Sequence, residues 1–465
     1  MLSQSKQAPK LTLGNVVEWS NSKSVLPASM LCKSVNGLNN DSRNTSCGEV
    51  FVALTTEKDD GHRYAADAIK RGASAAIVSV KKTDMFTDSE KKRLIAVNDP
   101  LKALQQIASC YRKTFDIPFI GITGSSGKTT SRSFISHVLK HKLTVGETSG
   151  NLNNHIGVPL SILKFKGNEN VGVLEMGANH AHEIHLLSTI VKPTIGIITN
   201  IGYAHIGYFG SLSNIARAKL EIADGMNDKS GFILLNGDDP LLVKNARGMD
   251  KKIIFFGFSS RCRIRAVKEK LISGNSMGFE VDGMQYRLEM PGRHFIYCAL
   301  AAICLGEYFG IERSLIAGAL SSIRPASMRG TIEKKAGATF IVDCYNANPS
   351  SMKTAIRLLC DVAGKKKPVA IVGDMLELGK FSKRLHKALG RQLAAAGVRD
   401  ILAVGEFASS VAEGAIESGM KAKNVRTAKN SDEAAISAKD MVNPGDIALL
   451  KGSRGVHLET VFEKF

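Results

Sequence analysis

Apolar residues along the chain fall into two recurring patterns. One is a run of four or five; the other is a stretch in which they return every three to four positions. Before about residue 115, the runs at 51–54 and 75–78 read as buried strands. Asp99 and Pro100 occupy the N-cap and first-turn positions of a helix with an apolar stripe of Leu101, Leu104, Ile107, Ala108 and Tyr111. The chain then turns between Thr114 and Pro118, and the run 119–123 opens a second series. Further strands are predicted at 171–174, 195–198, 233–235 and 253–256, with helical segments between them. That alternation is the pattern of a parallel sheet covered by helices on both faces. From about 262 to 290 the period changes to two and glycines come at hairpin intervals, which predicts an antiparallel insert. A last βα series runs through 338–342, 369–372, 401–404 and 447–450. The expected architecture is therefore α/β in three domains, 1–115, 116–325 and 326–465.

Composition agrees with that division. At about 150 residues per domain, 465 residues make roughly three. With 44% hydrophobic residues, each third can bury a core of its own. The 62 Lys and Arg exceed the 43 Asp and Glu, a formal net charge of +19 that favours anionic partners. The positive residues are scattered, however, with only short runs such as Lys91-Lys92-Arg93. There is a single Trp and no interleaving of basic and aromatic residues of the kind single-strand binders use. Polyphosphorylated small molecules suit this pattern better than nucleic acid. The eight cysteines include no Cys-x-x-Cys pair and none close to His, against both a disulfide framework and a structural zinc site. No signal-peptide core opens the chain and no apolar run reaches the ~18 residues of a membrane span, so a cytoplasmic protein without membrane insertion is expected.

The sharpest chemical signal is Gly121-Ile122-Thr123-Gly124-Ser125-Ser126-Gly127-Lys128-Thr129-Thr130. An apolar strand enters a Gly/Ser turn, and Gly-Lys-Thr opens a helix containing Phe134, Ile135, Val138 and Leu139. Phosphate oxygens need several backbone N–H donors at close range, which glycine permits because no Cβ blocks the approach. The helix N-terminus adds its dipole, Lys128 can reach β- and γ-phosphates, and the Thr129 hydroxyl can ligate Mg²⁺. The spacing is a variant one: the general phosphate-loop pattern would put its first Gly at 122, where this chain has Ile122.

Other polar groups stand at strand ends, where open α/β sheets bind ligands. Glu175 follows the run 171–174 and is placed to hold Mg²⁺. Asn151, Asn153 and Asn154 lie in one short segment that turn chemistry alone could explain. His205 comes after the run 195–198, and the next helix carries Arg217, Lys219 and Glu221. His180, His182 and His185 with Glu183 lack the zinc-protease spacing, and an exposed helix face accounts for them better than a metal. In the last third, Asp343 can hydrogen-bond ribose hydroxyls, and Arg454 has the planar fork that suits a carboxylate.

In order, these segments resemble the Mur ligases of peptidoglycan synthesis over nearly the full chain, most closely the MurF type. Asn40-Asp41-Ser42-Arg43, Gly48 to Leu54 and Asp60-Gly61-His62 resemble that type's uridine-binding domain, which would assign Asp41, Ser42 and Arg43, together with Asn151, to the UDP substrate. Gly124, Ser125, Ser126, Gly127, Lys128, Thr129 and Thr130 match the family's short phosphate loop. The resemblance places Asn154, Arg329 and Asp343 on ATP, with Arg329 at the γ-phosphate and Asp343 at the ribose. It also places Thr129, Glu175, His205 and Lys219 on magnesium. Lys128, His205 and Lys219 would be catalytic, and Lys219 matches a lysine that is carbamylated in several members. The segments Tyr345 to Met352 and Gly373 to Gly379 are the most type-specific, and imply acceptor contacts at Asn346, Asn348, Asp374, Ser453 and Arg454. The Asp-Asn-Pro-Arg acceptor motif usual in MurE-type enzymes is absent.

The implied domains are an N-terminal UDP-muramoyl-peptide domain, a central ATP-binding P-loop domain with an antiparallel insert, and a C-terminal Rossmann-like domain for the incoming dipeptide. The implied enzyme is a monomer that uses ATP and Mg²⁺. It would join D-alanyl-D-alanine to UDP-N-acetylmuramoyl-tripeptide through an acyl phosphate. Alternatives are a MurE-type ligase that adds a single amino acid, a P-loop ATPase acting on nucleic acid, and a non-catalytic UDP-sugar-binding module. The second lacks a basic stripe, and the third does not explain the phosphate loop. Two departures concern the adenine side: Phe295 and Cys298 stand where the family usually has Asn. Phe295 can stack on a base but cannot hydrogen-bond its edge, so weaker adenine discrimination is expected.

Overall fold

The computed structural model describes residues 10–465 apart from 24–25, 227–230, 273–275, 326 and 367. Residues 1–9, with which the first expected domain begins, lie outside it. Three sheet systems follow one another along the chain. The first is a four-stranded parallel sheet, Leu38–Asn39, Val50–Val52, Ala75–Ser79 and Leu94–Val97, paired in chain order. The strand expected at 51–54 starts one residue earlier and stops at Val52. Beyond it, Leu54 O accepts the Gly61 N–H at 2.9 Å in a turn. The helix Pro100–Lys113 begins as its sequence dictates, with the Asp99 carboxylate accepting the N–H groups of Leu101 and Lys102.

The central sheet has seven strands, all parallel. Across the sheet they run Ile264–Arg265, Lys252–Gly257, Phe232–Asn236, Ile195–Ile198, Phe119–Thr123, Val171–Glu175 and Val145–Glu147. Phe119–Thr123 is fully buried, and the chain leaves it first to one side of the sheet and later to the other. Its carboxyl end is thus a topological switch point, where such sheets form a ligand crevice. The antiparallel insert is a separate three-stranded sheet, Val267–Ile272, Ser276–Val281 and Met284–Leu288. Its Val281–Met284 pair is closed by Asp282-Gly283, both with positive φ, the backbone a tight two-residue hairpin needs.

The last sheet has six strands, in the order Thr331–Lys335, Ala338–Val342, Ile447–Lys451, Val369–Gly373, Asp400–Val404 and Val425–Ala428. Only the first pairing is antiparallel. The first and second systems are pinned together by Arg112 on the helix Pro100–Lys113. Its Nε donates to Val191 O at 2.7 Å, its Nη2 to Lys192 O at 3.2 Å and its Nη1 to Phe115 O at 3.1 Å. The guanidinium lies 3.7 Å from the centre of the Phe119 ring.

All eight cysteines are free, and among the described residues no helix is long and apolar enough to cross a membrane. The three histidines of the 180–185 segment do not share a helix face. Only His185 lies on the helix Glu183–Val191, His182 being its N-cap, and each pairs with its own carboxylate: His180 with Glu183, His182 with Glu221 and His185 with Asp224.

Candidate active site

The carboxyl end of the central sheet opens into a cavity of about 840 Å³ whose walls come from both the central and the C-terminal sheet systems. The phosphate loop forms its floor. Gly124 leaves the strand at φ +144°, and a Cβ there would collide with the Thr199 hydroxyl. Gly127, at φ +78°, has open space where a Cβ would point, and the helix Lys128–Leu139 starts on the next residue. The loop is braced from behind. Ser125 N donates to Asn200 O at 3.0 Å, Ser126 N to Asn200 Oδ1 at 3.0 Å, and Gly202 N to Ser125 Oγ at 2.8 Å. Lys128 folds back so that Nζ donates to Gly124 O at 2.9 Å. Burial pushes its ammonium below the ordinary lysine value, opposed by Glu175 and reinforced by Arg329.

Glu175 ends its strand almost fully buried, and both its oxygens are held. Oε2 accepts from Thr129 Oγ1 at 2.9 Å, and Oε1 accepts from Asn153 Nδ2 at 2.8 Å. Its own N–H donates to Thr148 Oγ1 at 2.8 Å. Asn151 and Asn154 also line the cavity, and Asn154 Oδ1 accepts the N–H of Gly157 at 2.8 Å, the turn chemistry its segment suggested. Asn153 is the residue of the three that reaches Glu175, a distinction composition could not make.

His205 and Arg329 both face the cavity. His205 Nδ1 lies 2.5 Å from Glu377 Oε2. Arg329 Nη2 donates to Thr129 Oγ1 at 3.2 Å, and its guanidinium sits 3.8 Å over the Tyr345 ring. Lys219 is 2% exposed, its Nζ 5.9 Å from the Phe209 ring. Glu221, the carboxylate with which an ordinary lysine there would pair, instead accepts the backbone N–H groups of His182 and His185. Burial, with Lys128 adding to it, pushes the Lys219 amine down to about 7, against weaker pulls from Glu183 and Glu221.

Asp343 lines the cavity with its carboxylate 2.8 Å from Lys451 Nζ. Burial raises the Asp343 carboxyl while Lys451 opposes the rise. Lys451 is 1% exposed at the end of the strand Ile447–Lys451, and it also donates to Asn346 O at 2.9 Å. Asn346 and Asn348 line the cavity, and Asn348 caps the helix Pro349–Ala363.

Other expected site residues stand elsewhere. The Asp374 carboxylate accepts the N–H groups of Glu406 and Phe407, and Ser453 Oγ accepts the N–H of Leu376. Arg454 pairs with Glu459 at 3.3 Å. None of the three lines the cavity. Asp41, Ser42 and Arg43 form a short turn of helix on the first sheet system, with Arg43 and Asp41 paired at 2.9 Å, also away from it. Phe295 and Cys298 both line the cavity. Phe295 is 1% exposed, and its ring lies parallel to Phe134 at 6.2 Å, so most of it is taken up in packing between two helices. Cys298, buried beside it, meets Ser131 Oγ at 3.4 Å. Asn200, Lys451 and Glu377 are structural parts of the site to which the sequence assigned no role. Each sits in a strand-end segment singled out there, but nothing in its residue type tells which neighbour it meets.

A phosphate loop at the switch point of a parallel sheet, with a second α/β unit closing over it, defines a P-loop α/β protein of several sheet systems. Comparison with known proteins narrows the class. The Mur ligase family catalytic domain matches residues 34–112, the Mur ligase middle domain 122–306, and the Mur ligase glutamate ligase domain 328–454. The chain is 35% identical to the UDP-N-acetylmuramoyl-tripeptide–D-alanyl-D-alanine ligase of Bacillus subtilis (strain 168), over 92% of each chain. Among solved structures it is similar to MurF from Acinetobacter baumannii, with a TM-score of 0.87 and 30% identity, covering 98% of this chain and 99% of that one. MurF ligase from Thermotoga maritima, in complex with ADP, gives a TM-score of 0.81 at 28% identity, over 92% of this chain and 96% of that one. The chain belongs to the Mur ligase family.

Proposed function

We propose that the protein is an ATP-dependent amide ligase that joins D-alanyl-D-alanine to UDP-N-acetylmuramoyl-tripeptide in peptidoglycan precursor synthesis. The observation that carries this reading is that one cavity is walled by the phosphate loop on one side and by the Tyr345–Asn348 segment on the other. A phosphorylated donor and an incoming amine can therefore meet in it. The names of the Bacillus subtilis and Acinetobacter baumannii relatives support the same choice of substrates. Division near residues 115 and 325 would give each sheet system its own ligand, with the UDP substrate on the first, ATP on the second and the dipeptide on the third.

In this reading the loop N–H groups from Gly124 to Thr130 and the Lys128 ammonium hold the β- and γ-phosphates of ATP, and Arg329 approaches the γ-phosphate from the other wall. The terminal carboxylate of the tripeptide takes the γ-phosphoryl group to give an acyl phosphate and ADP. The dipeptide amine adds to that carbonyl, and the tetrahedral adduct collapses to amide and phosphate. Most of the acceleration then comes from positioning and from charge placed where the phosphoryl group transfers. Asn154 and Asp343 would serve ATP from the cavity walls, with Lys451 keeping Asp343 in place. Asn346 and Asn348 would meet the acceptor.

The donor set fits magnesium. Among the described residues no group of three or more His, Cys, Asp or Glu forms a ready cage. Magnesium, however, is ordinarily bound through one or two carboxylates with substrate phosphates and water, which the Thr129–Glu175 pair beside the phosphate loop can complete. Glu175, Thr129, His205 and Lys219 are the residues proposed to hold it. When bound, the ion offsets charge on the phosphoryl group. An amine pushed down to about 7 by burial has a substantial neutral fraction near neutral pH, and in that form Lys219 can add CO₂ and release a proton, presenting carbamate oxygens.

Phosphate release measured with UDP-N-acetylmuramoyl-tripeptide, with and without D-alanyl-D-alanine, tests the function. Release should depend on both substrates. Release stimulated instead by free meso-diaminopimelate or lysine with a dipeptide substrate would assign the protein to the MurE type.

A further inference from the structure

One wall of the cavity is made by residues 236–241 and the first turn of the helix Arg293–Tyr308. Most of the polar side chains there are already engaged within the protein. Asn236 Nδ2 donates to Thr199 O at 3.0 Å, and Asn236 Oδ1 accepts the N–H of Asp238 at 2.9 Å. The Asp238 carboxylate takes the N–H of Phe258 at 2.7 Å, the N–H of Ser259 at 2.9 Å and the Tyr297 hydroxyl at 2.9 Å. Asp239 accepts the N–H of Ile201 and caps the helix Pro240–Ala246. Thr354, which lines the cavity from the C-terminal system, donates to Ser350 O at 3.1 Å. His294 is the exception. It lines the cavity, and neither of its ring nitrogens has a hydrogen-bond partner among the described residues. The ring is nonetheless fixed in place. Its centre lies 4.0 Å from that of Phe295, and it folds back over Gly292, where φ is +119° and a Cβ would fall 2.8 Å from Nδ1.

The charged groups of the cavity give His294 its place in a row. Arg329 acts on both Lys128 and Asp343, and Lys451 acts on both Asp343 and His294. Lys128, Asp343 and His294 thus follow one another in the order of phosphate, ribose and base in a nucleotide. We infer that His294 is a specificity-determining residue that reads the base, accepting the exocyclic amino group of adenine on a ring nitrogen. The inference deepens the proposed function, since it rests on ATP occupying this cavity. An imidazole can accept a hydrogen bond only while it is neutral. Burial, with the Lys451 charge adding to it, keeps the His294 ring in that state at neutral pH by pushing it down to about 4. Guanine carries a carbonyl oxygen where adenine has its amino group, and so offers that nitrogen no hydrogen.

Calorimetric binding of nucleoside diphosphates to the full chain, with Mg²⁺ and no ligase substrate, tests the inference. Wild type should bind ADP about 2- to 10-fold more tightly than purine riboside 5′-diphosphate, which lacks the amino group, the range expected for one hydrogen bond. It should bind 7-deaza-ADP, which keeps the amino group and lacks N7, as tightly as ADP. In His294→Phe, which keeps a ring against Phe295 and removes both nitrogens, ADP and purine riboside 5′-diphosphate should bind alike. His294→Asn, whose amide oxygen can accept, should recover part of the preference. Each protein serves as its own reference, so a general loss of affinity from altered packing does not change the ratio. Equal binding of the two nucleotides by wild type overturns the inference, and so does a preference that persists in His294→Phe. A wild-type loss confined to 7-deaza-ADP also overturns it, because the ring would then be donating to N7. Failure of the proposed function looks different: the nucleotide ratios would stand, while the ligase substrates would release no phosphate.

Discussion

Arg329 Nη2 donates to Thr129 Oγ1 at 3.2 Å, and the same hydroxyl donates to Glu175 Oε2 at 2.9 Å. One threonine therefore joins a cation at the start of the C-terminal system to a strand-end acid of the central sheet, at the first turn of the phosphate-loop helix. The arrangement ties the C-terminal system to the phosphate-loop helix inside the cavity. If the C-terminal system moves away, Arg329 leaves the loop together with Tyr345, on whose ring it rests.

Lys128→Ala should abolish turnover with little effect on folding, because the side chain lines the cavity and, among the described residues, its ammonium is hydrogen-bonded to Gly124 O alone. Losing such a charge clamp costs about 3–4 kcal/mol in the barrier. A steady-state assay beside a urea melt checks both halves; more than about a tenth of wild-type activity is incompatible with that magnitude.

Lys219→Ala should be inactive and should recover in the presence of acetate, which can occupy the position of a carbamate. An ammonium at that point would repel Mg²⁺, and burial already drives the amine toward its neutral form at about 7. Rescue by methylamine in place of acetate would show that the amine itself is the working group.

Phe295→Ala should act on stability. The ring is 1% exposed and stacked on Phe134, so its removal leaves a cavity between two helices, at a cost of about 3–5 kcal/mol. The urea midpoint should fall while the ratio of ATP to GTP use stays close to wild type. A large change in that ratio with unchanged stability would return Phe295 to the base.

His294 gives the fold a signature in acid. Burial, reinforced by the Lys451 charge, pushes its imidazole down to about 4, against an ordinary value of 6.5. Between those two values the unfolded chain takes up a proton that the folded protein refuses, so stability is lost as pH falls through that window and is fully present above it. Denaturant midpoints at pH 7 and pH 4.5 should differ more in wild type than in His294→Gln.

The alternation of apolar runs made the three sheet systems legible, because strands buried on both faces carry no polar residues to blur them. The strand Phe119–Thr123 and the start of the helix Pro100–Lys113 fall where local chemistry puts them. The phosphate loop was legible for the same reason: strand, glycines, lysine and helix are contiguous. Contacts between distant segments were not. Nothing in the residue type of Asn153 says that it, rather than Asn151 or Asn154, would hold Glu175. Nor does Phe295 reveal in sequence that it faces Phe134, since an aromatic ring serves a helix interface and a base equally well. Asp374 and Ser453 occupy strand ends like the cavity residues do, yet they bond loops of their own sheet system.

The bonds made by Arg112 mark one junction of the molecule. A guanidinium spread over Phe119 and anchored to three carbonyls ties the helix of the N-terminal sheet to the central sheet. The C-terminal sheet meets the central one through other contacts, among them the Arg329–Thr129 bond and the glycine-to-glycine approach at Gly207 and Gly379. Where one side chain rivets the first two parts together, the third meets the second at the rim of the cavity itself.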